Sequence, residues 1–524
     1  MSGSRPSTIP ALVHDAAIRY PQSVALEGDD RSWTFPELAD ACLASTRSFM
    51  AAGISPGDRV AIWAPNSPRW IIAAVGLQSA GAALVPMNTR FKRDEAADIL
   101  SRTKASLLVT VGDFLGTRYL DLIADAPLPA LEHRVLLDGA DERAQPWEEF
   151  LDAGKQASNG EARARTESIG PDDLADIMFT SGTTGRPKGV TITHGQNLFA
   201  YERWTDAVDL RHGDRYLIVN PFFHAFGYKA GWMACIMRGC TILPEPVLDV
   251  DRVLRRVGEE KVSVLPGTPA LYESLLMHPY RSRYDLQSLR LAITGGAAIA
   301  PELIHRVYDE LGFDTAVTGY GLTETAGVAT QNRAGTSPET IALTSGPPLP
   351  DIEVMAVDSS GRELGPDESG EIMVRGPNVT RAFLDDPEAT ADAIDPEGWL
   401  HTGDIGFFDA DGNIHITDRL KDMYIMGGFN CYPAEIERIM YEMPEIAQVA
   451  VIGVPDKRMG EVGKAFIVAT PGTSPSASDI IAWCREEMSN FKVPRSVEFV
   501  ESLPTTASGK IQKHLLQDPA DLPG

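Results

Sequence analysis

An α/β architecture is predicted for this chain: a large N-terminal domain of mostly parallel sheets flanked by helices plus a small antiparallel β subdomain, followed by a small α+β C-terminal domain. Three observations predict it. Apolar strand-like runs alternate with amphipathic helical patterns through most of the sequence, the texture changes near residue 350 to short strands and Asp/Gly turns, and a last compact helix-and-strand unit follows residue 422. Alternation of that kind implies parallel strands covered on both faces.

With 524 residues, 43% apolar and 23% charged, the chain has room for about three or four domain-sized units with substantial cores. A formal charge of −26 argues against a nucleic-acid or anionic-membrane surface, because a phosphate backbone demands a basic field. Small anionic ligands need only local cations. The five cysteines, Cys42, Cys235, Cys240, Cys431 and Cys484, are scattered and odd in number, without a CxxC pair, so neither a disulfide framework nor a zinc site is expected. The start, MSGSRPSTIPALVHD, lacks the apolar run of a secretory signal, and a cytoplasmic location is the expectation.

Taken in order, RVAIWAP reads as a strand, PRWIIAAVGLQSA as a helix and AALVPM as a strand. Gln78, Ser79, Gly81 and Pro86 interrupt the apolar stretch from Trp70 to Met87, which favours a buried crossover over a membrane span. FKRDEAADILSRTKASLLVTV repeats helix and strand. Residues 125–172, rich in Ala, Pro, Asp and Glu, carry little pattern and are expected to be surface connection. ADIMFT and VTIT read as two buried strands joined by a loop. KVSVLPGTPALYESLL, and LRLAITGGAAIAPELIHRVYDEL followed by DTAVTGYG, resume the alternation. IEVMAVDSSGREL, GEIMVRG and GFFDADGNIHITD form the antiparallel subdomain. Beyond DRLKD at 418–422, PAEIERIMYEM has Pro433 at a helix start and Ile436, Ile439, Met440 and Met443 on one stripe. QVAVIGV, KAFIVAT, the helix SASDIIAWCREEM and the strand RSVEFVE complete a domain of about 100 residues. The expected domains are 1–418 and 423–524.

The loop between ADIMFT and VTIT has the chemistry to grip a polyphosphate. In TSGTTGRPKGV, Gly182, Gly185 and Gly189 allow close backbone approach, Thr180, Ser181, Thr183 and Thr184 supply hydroxyls, and Lys188 supplies charge. It is not a P-loop, since Pro187 precedes the lysine and Gly189 follows it.

Together TSGTTGRPKGV, TGYGLTET, GWLHTGDIG, DRLKDMYIMGGFNCYPAEIE and PTTASGKIQK, in this order over most of the chain, closely resemble the adenylate-forming enzymes, which include acyl-CoA synthetases, luciferases and peptide-synthetase adenylation domains. The resemblance implies an ATP-dependent acid-thiol ligase. A carboxylate attacks the α-phosphate of ATP to give an acyl-adenylate and pyrophosphate, and a thiol then displaces AMP. It implies that Tyr320 lies against the adenine, with Gly321 beside it, that Thr323 hydrogen-bonds a phosphate and that Glu324 holds Mg2+, with Thr180 as a second candidate ligand. Asp404 resembles the ribose ligand, Arg419 is expected to reach ribose or phosphate, and Gly295, Gly296 and Ala297 to lie beside adenine and acyl pocket. Lys510 is the expected catalytic residue, stabilising charge that gathers at the α-phosphate. The C-terminal domain is expected to be mobile about a hinge at 419–422, with Lys421 at the hinge position and Gly427, Gly428 and Phe429 lining the pantetheine tunnel after rotation.

The same resemblance makes coenzyme A the expected acceptor, with ATP and a small-molecule carboxylic acid as the other partners; a homodimer is compatible with it. No carrier domain follows Lys510 as beside peptide-synthetase domains, and a fatty acyl-AMP ligase is the competing reading. Segment NPFFHAFGYKAG should pass beside the acid, with His224 near the carboxylate and Phe226, Tyr228 and Lys229 lining or supporting the pocket. With MGGFN, the pattern looks most like the actinobacterial acyl-CoA ligases of steroid catabolism that activate an indanedione propanoate. Ala225 after His224 and Thr330-Gln331 beyond TGYGLTET are positions able to retune the pocket toward fatty, medium-chain or aromatic acids. A catalytically idle adenylate-binding regulatory protein is the reading from another class; Thr184, Lys188, Glu324, Asp404, Arg419 and Lys510 are all retained, which argues against it.

Overall fold

Two stacked layers of parallel strands bring their carboxyl ends to one cleft in the computed structural model. It describes residues 5–180, 187–295, 299, 301–419, 422–426, 429–456, 458–488, 490–505 and 511–516, with the backbone alone at 419, 425, 429, 430 and 514. One sheet has eight strands, in spatial order Thr330–Gln331, Thr315–Tyr320, Leu291–Gly295, Val264–Pro266, Arg215–Ile218, Thr241–Pro244, Val24–Glu27 and Ser32–Thr34. Its six inner strands are parallel and both edge strands run antiparallel. The other has seven, in the order Gln145–Pro146, His133–Leu136, Leu107–Thr110, Arg59–Trp63, Ala83–Pro86, Leu174–Thr180 and Lys188–Thr193, with only the last antiparallel.

The inner strands are largely apolar because both faces are covered: every residue of Ala83–Pro86 and of Leu107–Thr110 is buried. Helix Pro68–Ser79 lies in the main core, and all ten residues from Trp70 to Ser79 are buried. Ser67 caps it by accepting the amide of Trp70, and Pro68 opens its first turn. A helix apolar on all sides inside a large core explains the stretch that resembled a membrane segment. Among the described residues no helix is long and apolar enough to cross a membrane.

Residues 125–172 are not the featureless connection expected from their composition. They hold the strands His133–Leu136 and Gln145–Pro146 and the helices Trp147–Ala153 and Asn159–Glu167. The helix Asn159–Glu167 starts at a Ser158/Glu161 capping box, while Trp147 and Phe150 are buried and Phe150 meets Phe49 edge-on at 5.0 Å. The elements are short and bury only a few apolar residues each, such as Val135 and Leu136 in the strand and Trp147 and Phe150 in the helix, too few to show as a periodic stripe.

The antiparallel subdomain is a four-stranded sheet ordered Glu353–Val357, Gly370–Arg375, Leu400–Phe408, Ile414–Arg419. The C-terminal unit is a five-stranded sheet of Phe429–Cys431, Tyr424–Met426, Gly460–Ala469, Ile446–Asp456 and, parallel to Gly460–Ala469, Ser496–Phe499. Helices Pro433–Met440 and Ala477–Glu487 pack on it through Ile436, Met440, Ile480 and Cys484, within a core separate from that of the larger body. All five cysteines are buried thiols, none of them in a disulfide.

Candidate active site

Strand ends assemble the site. Thr180 closes the strand Leu174–Thr180 and Lys188 opens Lys188–Thr193, the two standing opposite each other in an antiparallel pair. The loop between them therefore leaves from one point of the seven-stranded sheet. Ser181, Gly182, Thr183, Thr184 and Gly185 lie outside the described residues, as do Gly296, Ala297, Lys421, Gly427, Gly428 and Lys510; side chains are likewise outside for Arg419 and Phe429. The mouth of the loop is braced on both sides. Arg102 donates to the carbonyl of Pro187 at 2.6 Å and lies over the ring of Phe179 at 5.1 Å. Lys188 Nζ sits 5.1 Å above the Phe383 ring, and Leu384 donates its amide to the carbonyl of Gly189 at 2.7 Å.

From the eight-stranded sheet, the strand Thr315–Tyr320 delivers Tyr320 and then a one-turn 3-10 helix, Thr323–Thr325, which carries Thr323 and Glu324. This loop is tightly folded. A Cβ on Gly321 would stand 2.4 Å from Cα of Val328, a backbone clash, so only glycine allows the chain to double back here. Asn378 donates to the carbonyls of Thr325 and Val328 at 3.2 and 2.9 Å, and the Thr380 amide donates to the Glu324 carbonyl at 2.7 Å. With its backbone held, Glu324 turns its carboxylate toward the other sheet, and Thr180 Oγ1 donates to Glu324 Oε1 at 3.5 Å. Two parallel sheets thus meet at their carboxyl ends through a hydroxyl and a carboxylate, the place where open α/β sheets bind ligands.

The antiparallel subdomain supplies the third wall. Asp404 is 3% exposed and accepts from Tyr320 Oη at 2.7 Å, which holds the phenol ring and the carboxylate edge to edge. Arg419 pairs with Asp404 across the sheet, so its backbone is next to that carboxylate. Gly295 pairs with Gly319 in the adjacent strand, and a Cβ at residue 295 would meet the Gly319 carbonyl at 3.4 Å.

His224 caps the short helix Ala225–Gly227, its Nδ1 accepting the amide of Phe226 at 3.3 Å, which leaves Nε2 as the protonated nitrogen of the neutral ring. The ring is exposed to solvent yet set among protein atoms that strip hydration; that desolvation, followed by the charge of Lys229, lowers its pKa. Ala225 packs against Gly327, so this segment abuts the loop that carries Glu324. Phe226 is partly buried against the main core. Tyr228 and Lys229 are different: both are fully enclosed. Tyr228 stacks on Trp232 at 4.7 Å, and Lys229 Nζ lies 3.0 Å from Asp176 Oδ1. They support the wall from behind and do not line it. Gln331 is likewise buried, accepting from Trp204 Nε1 at 3.0 Å and donating to the Thr318 carbonyl at 2.9 Å, so it fixes the sheet edge.

Burial lowers the pKa of Lys229, with Asp176 opposing that shift. Asp176 also accepts from Asn197 at 2.7 Å, and Tyr228 Oη accepts from Gln78 at 2.9 Å. This ion pair joins the strand that ends at Thr180 to the segment that begins at His224. Sequence reasoning missed Asp176, although a carboxylate inside the apolar run ADIMFT was a visible signal. It also missed Arg102, Asn378 and Thr380, which nothing local in the sequence distinguishes from surface or turn residues.

The oxygen donors of Glu324 and Thr180 suit a hard cation such as magnesium. Among the described residues no group of three or more His, Cys, Asp and Glu could cage a metal.

Two family models match the chain: "AMP-binding enzyme" over residues 13–384 and "AMP-binding enzyme C-terminal domain" over residues 435–510. The 3-[(3aS,4S,7aS)-7a-methyl-1,5-dioxo-octahydro-1H-inden-4-yl]propanoyl:CoA ligase of Rhodococcus jostii (strain RHA1) is 46% identical over 521 residues, 98% of this chain and 99% of that protein. The ligase of the same name from Mycobacterium tuberculosis (strain ATCC 25618 / H37Rv) is 47% identical over 513 residues, 98% of each chain. Among solved structures, ATP-bound MatB from Rhodopseudomonas palustris superposes with a TM-score of 0.86 at 28% identity, covering 98% of both chains.

Proposed function

The chain belongs to the AMP-binding enzyme family and is an adenylate-forming acid:CoA ligase, and from that premise we propose that the acid it activates is a bulky bicyclic keto-propanoate of the indanedione type. The observation that carries the site is the meeting of three sheets: Thr180 and Glu324 at 3.5 Å, with Tyr320 and Asp404 at 2.7 Å beside them. Identity of 46–47% along the full length to two ligases named for that acid supports the substrate class.

In the first half-reaction the acid's carboxylate attacks the α-phosphate of ATP and pyrophosphate leaves; in the second the thiol of coenzyme A displaces AMP. Tyr320 takes the adenine face and Asp404 the ribose hydroxyls, for which the phenol's hydrogen bond prepares the carboxylate. Thr180 through Gly185 and Lys188 receive the β- and γ-phosphates, and Thr323 a phosphate oxygen. Glu324 and Thr180 would hold magnesium, which when bound neutralises phosphate charge. His224, neutral because its environment lowers its pKa, can donate from Nε2 to the incoming carboxylate without adding a full charge. Lys510 brings the ammonium that stabilises the crowded α-phosphate, and rotation about Lys421 then removes it and brings Gly427, Gly428 and Phe429 to the thiol. A cytoplasmic homodimer completes the proposal; sedimentation of the purified chain tests the dimer.

The deciding experiment is pyrophosphate release from purified protein with ATP, magnesium and a panel of acids, with and without coenzyme A. The indanedione propanoate should give the highest kcat/KM, by at least about tenfold, a margin equal to about 1.4 kcal/mol of transition-state binding. Equal or better turnover of a fatty, medium-chain or aromatic acid would reject the substrate. Pyrophosphate release with acyl-adenylate accumulating and no thioester in the presence of coenzyme A would assign the chain as an acyl-AMP ligase, and absence of pyrophosphate with every acid would favour an idle binding protein.

A further inference from the structure

Charge pins the segment that follows residue 510. Lys513, in the 3-10 turn Lys513–Leu515, sets Nζ 2.8 Å from Oε1 of Glu437, with the two side chains only 17% and 13% exposed. The same oxygen accepts the amide of Val451 at 2.6 Å, so one carboxylate joins the helix Pro433–Met440, the strand Ile446–Asp456 and the tail. Two further carboxylates act on Lys513: Asp422, just past the junction of the domains, and Asp418 on the last strand of the antiparallel sheet. Asp418 is buried and accepts the amide of Ala434 at 2.8 Å in the first turn of that same helix. Burial raises the pKa of Glu437, and the three carboxylates outweigh the burial of Lys513 and raise its pKa.

Apolar contacts close the rest of the segment. Ile511 and Leu516 pack on Ala450, Ile452, Phe466 and Leu503. Thr505 and Ile511, the residues on either side of 506–510, are bridged to each other, and Gln512 donates its amide to the carbonyl of Pro504 at 2.8 Å. The residues flanking 506–510 are therefore fixed to the small sheet, and one cation ties them to Glu437.

We propose that Lys513 is a positioning residue for acyl-adenylate formation, clasping the stem that bears Lys510 to Glu437 on the helix Pro433–Met440. The inference rests on the role assigned to Lys510 under Proposed function. Lys513 touches no reacting atom. It acts by aim, and a misplacement of about 1 Å costs on the order of 10²-fold in rate. Without its charge, the half-buried carboxylate of Glu437 loses the cation that joins it to the tail.

The test uses the full chain and separates the half-reactions: pyrophosphate release from acid and ATP, and thioester formation from preformed acyl-adenylate and coenzyme A. Lys513→Met is expected to slow the first by about 10- to 100-fold while the second stays within about twofold. Lys513→Arg, which keeps the charge, should recover most of the loss. The neutral pair Glu437→Gln/Lys513→Gln removes both charges of the ion pair together; it should stay folded, as read by circular dichroism, and still adenylate slowly. Equal loss in both half-reactions, or full adenylation by the neutral pair, would overturn the clasp. Lys510→Ala is run beside these variants. Selective loss of adenylation in Lys510→Ala but not in Lys513→Met removes the clasp alone, whereas an unselective Lys510→Ala removes the reading of Lys510 and the clasp with it.

Discussion

At the scale of single residues, the site depends on groups whose own backbones are held by neighbours. Glu324 offers its carboxylate because Thr380 and Asn378 fix the turn it stands on. Glu324→Gln keeps the shape and removes the charge, so adenylation should fall about 10²–10³-fold, as when one preorganised electrostatic group is lost. Retention of more than a tenth of the rate at saturating magnesium would remove Glu324 from the ion's shell. Lys510→Ala should lower the same step by a similar factor, as measured by pyrophosphate release, and leave conversion of supplied acyl-adenylate intact. The buried pair Asp176–Lys229 contributes differently. Lys229→Met strands a carboxylate in the core and should cost about 3–5 kcal/mol, whereas Asp176→Asn/Lys229→Met should recover much of it; denaturant melts of the two variants check this. His194 is a second buried titrating group. Its Nδ1 accepts the amide of Ile9 at 3.3 Å, and burial lowers its pKa from 6.5 to about 4. Between those values the unfolded chain binds the proton and the folded chain does not. Stability is therefore lost as pH falls from 6.5 toward about 4, by up to about 3 kcal/mol for this group, and thermal melts of His194→Gln should show a shallower decline over that window.

At the scale of elements, strand ends and caps decide where chemistry can sit. The strand Leu174–Thr180 stops where the hydroxyl-rich loop begins, and Lys188–Thr193 returns from it in antiparallel register. Capping boxes were readable beforehand in principle, as at Ser158/Glu161, yet the helix Asn159–Glu167 went unnoticed because it buries a single residue, Ala162. The stripe of Ile436 and Met440 was plain because a packed helix must repeat its apolar positions about every turn, whereas Met443, expected on the same stripe, is buried in the turn beyond the helix's end at Met440. Between the antiparallel sheet and the C-terminal unit, the DRLKD segment is the element expected to turn. Lys421→Pro would remove φ freedom there; pyrophosphate release should persist and thioester formation should fall at least about tenfold, in line with a gating role for such hinges. Loss of both steps together would point to misfolding and leave the hinge without support.

At the scale of the whole molecule, three sheets meet at one cleft in a chain of net charge −26. ATP and coenzyme A are themselves polyanions, so their capture must rest on local cations such as Lys188 against a repulsive background. Added salt should accordingly lower KM for ATP before it weakens binding, as screening reaches the distant carboxylates first; a KM that rises monotonically from low salt would contradict that balance. Much of this architecture was legible from residues alone. Alternating apolar runs dictate parallel layers, since a strand buried on both faces is largely apolar, and the strands Leu174–Thr180 and Lys188–Thr193 stand on either side of the glycine- and hydroxyl-rich loop as ADIMFT and VTIT implied. Contacts between residues far apart in sequence were not legible. Nothing in the order of residues says that Asp176 meets Lys229, that Tyr320 reaches Asp404, that Thr180 meets Glu324, or that Lys513 answers Glu437. Sequence pattern is set by local periodicity and by which face is buried, whereas these pairs exist only once separate sheets have packed. Tertiary packing alone determined which charges share a cleft and which lie behind its wall.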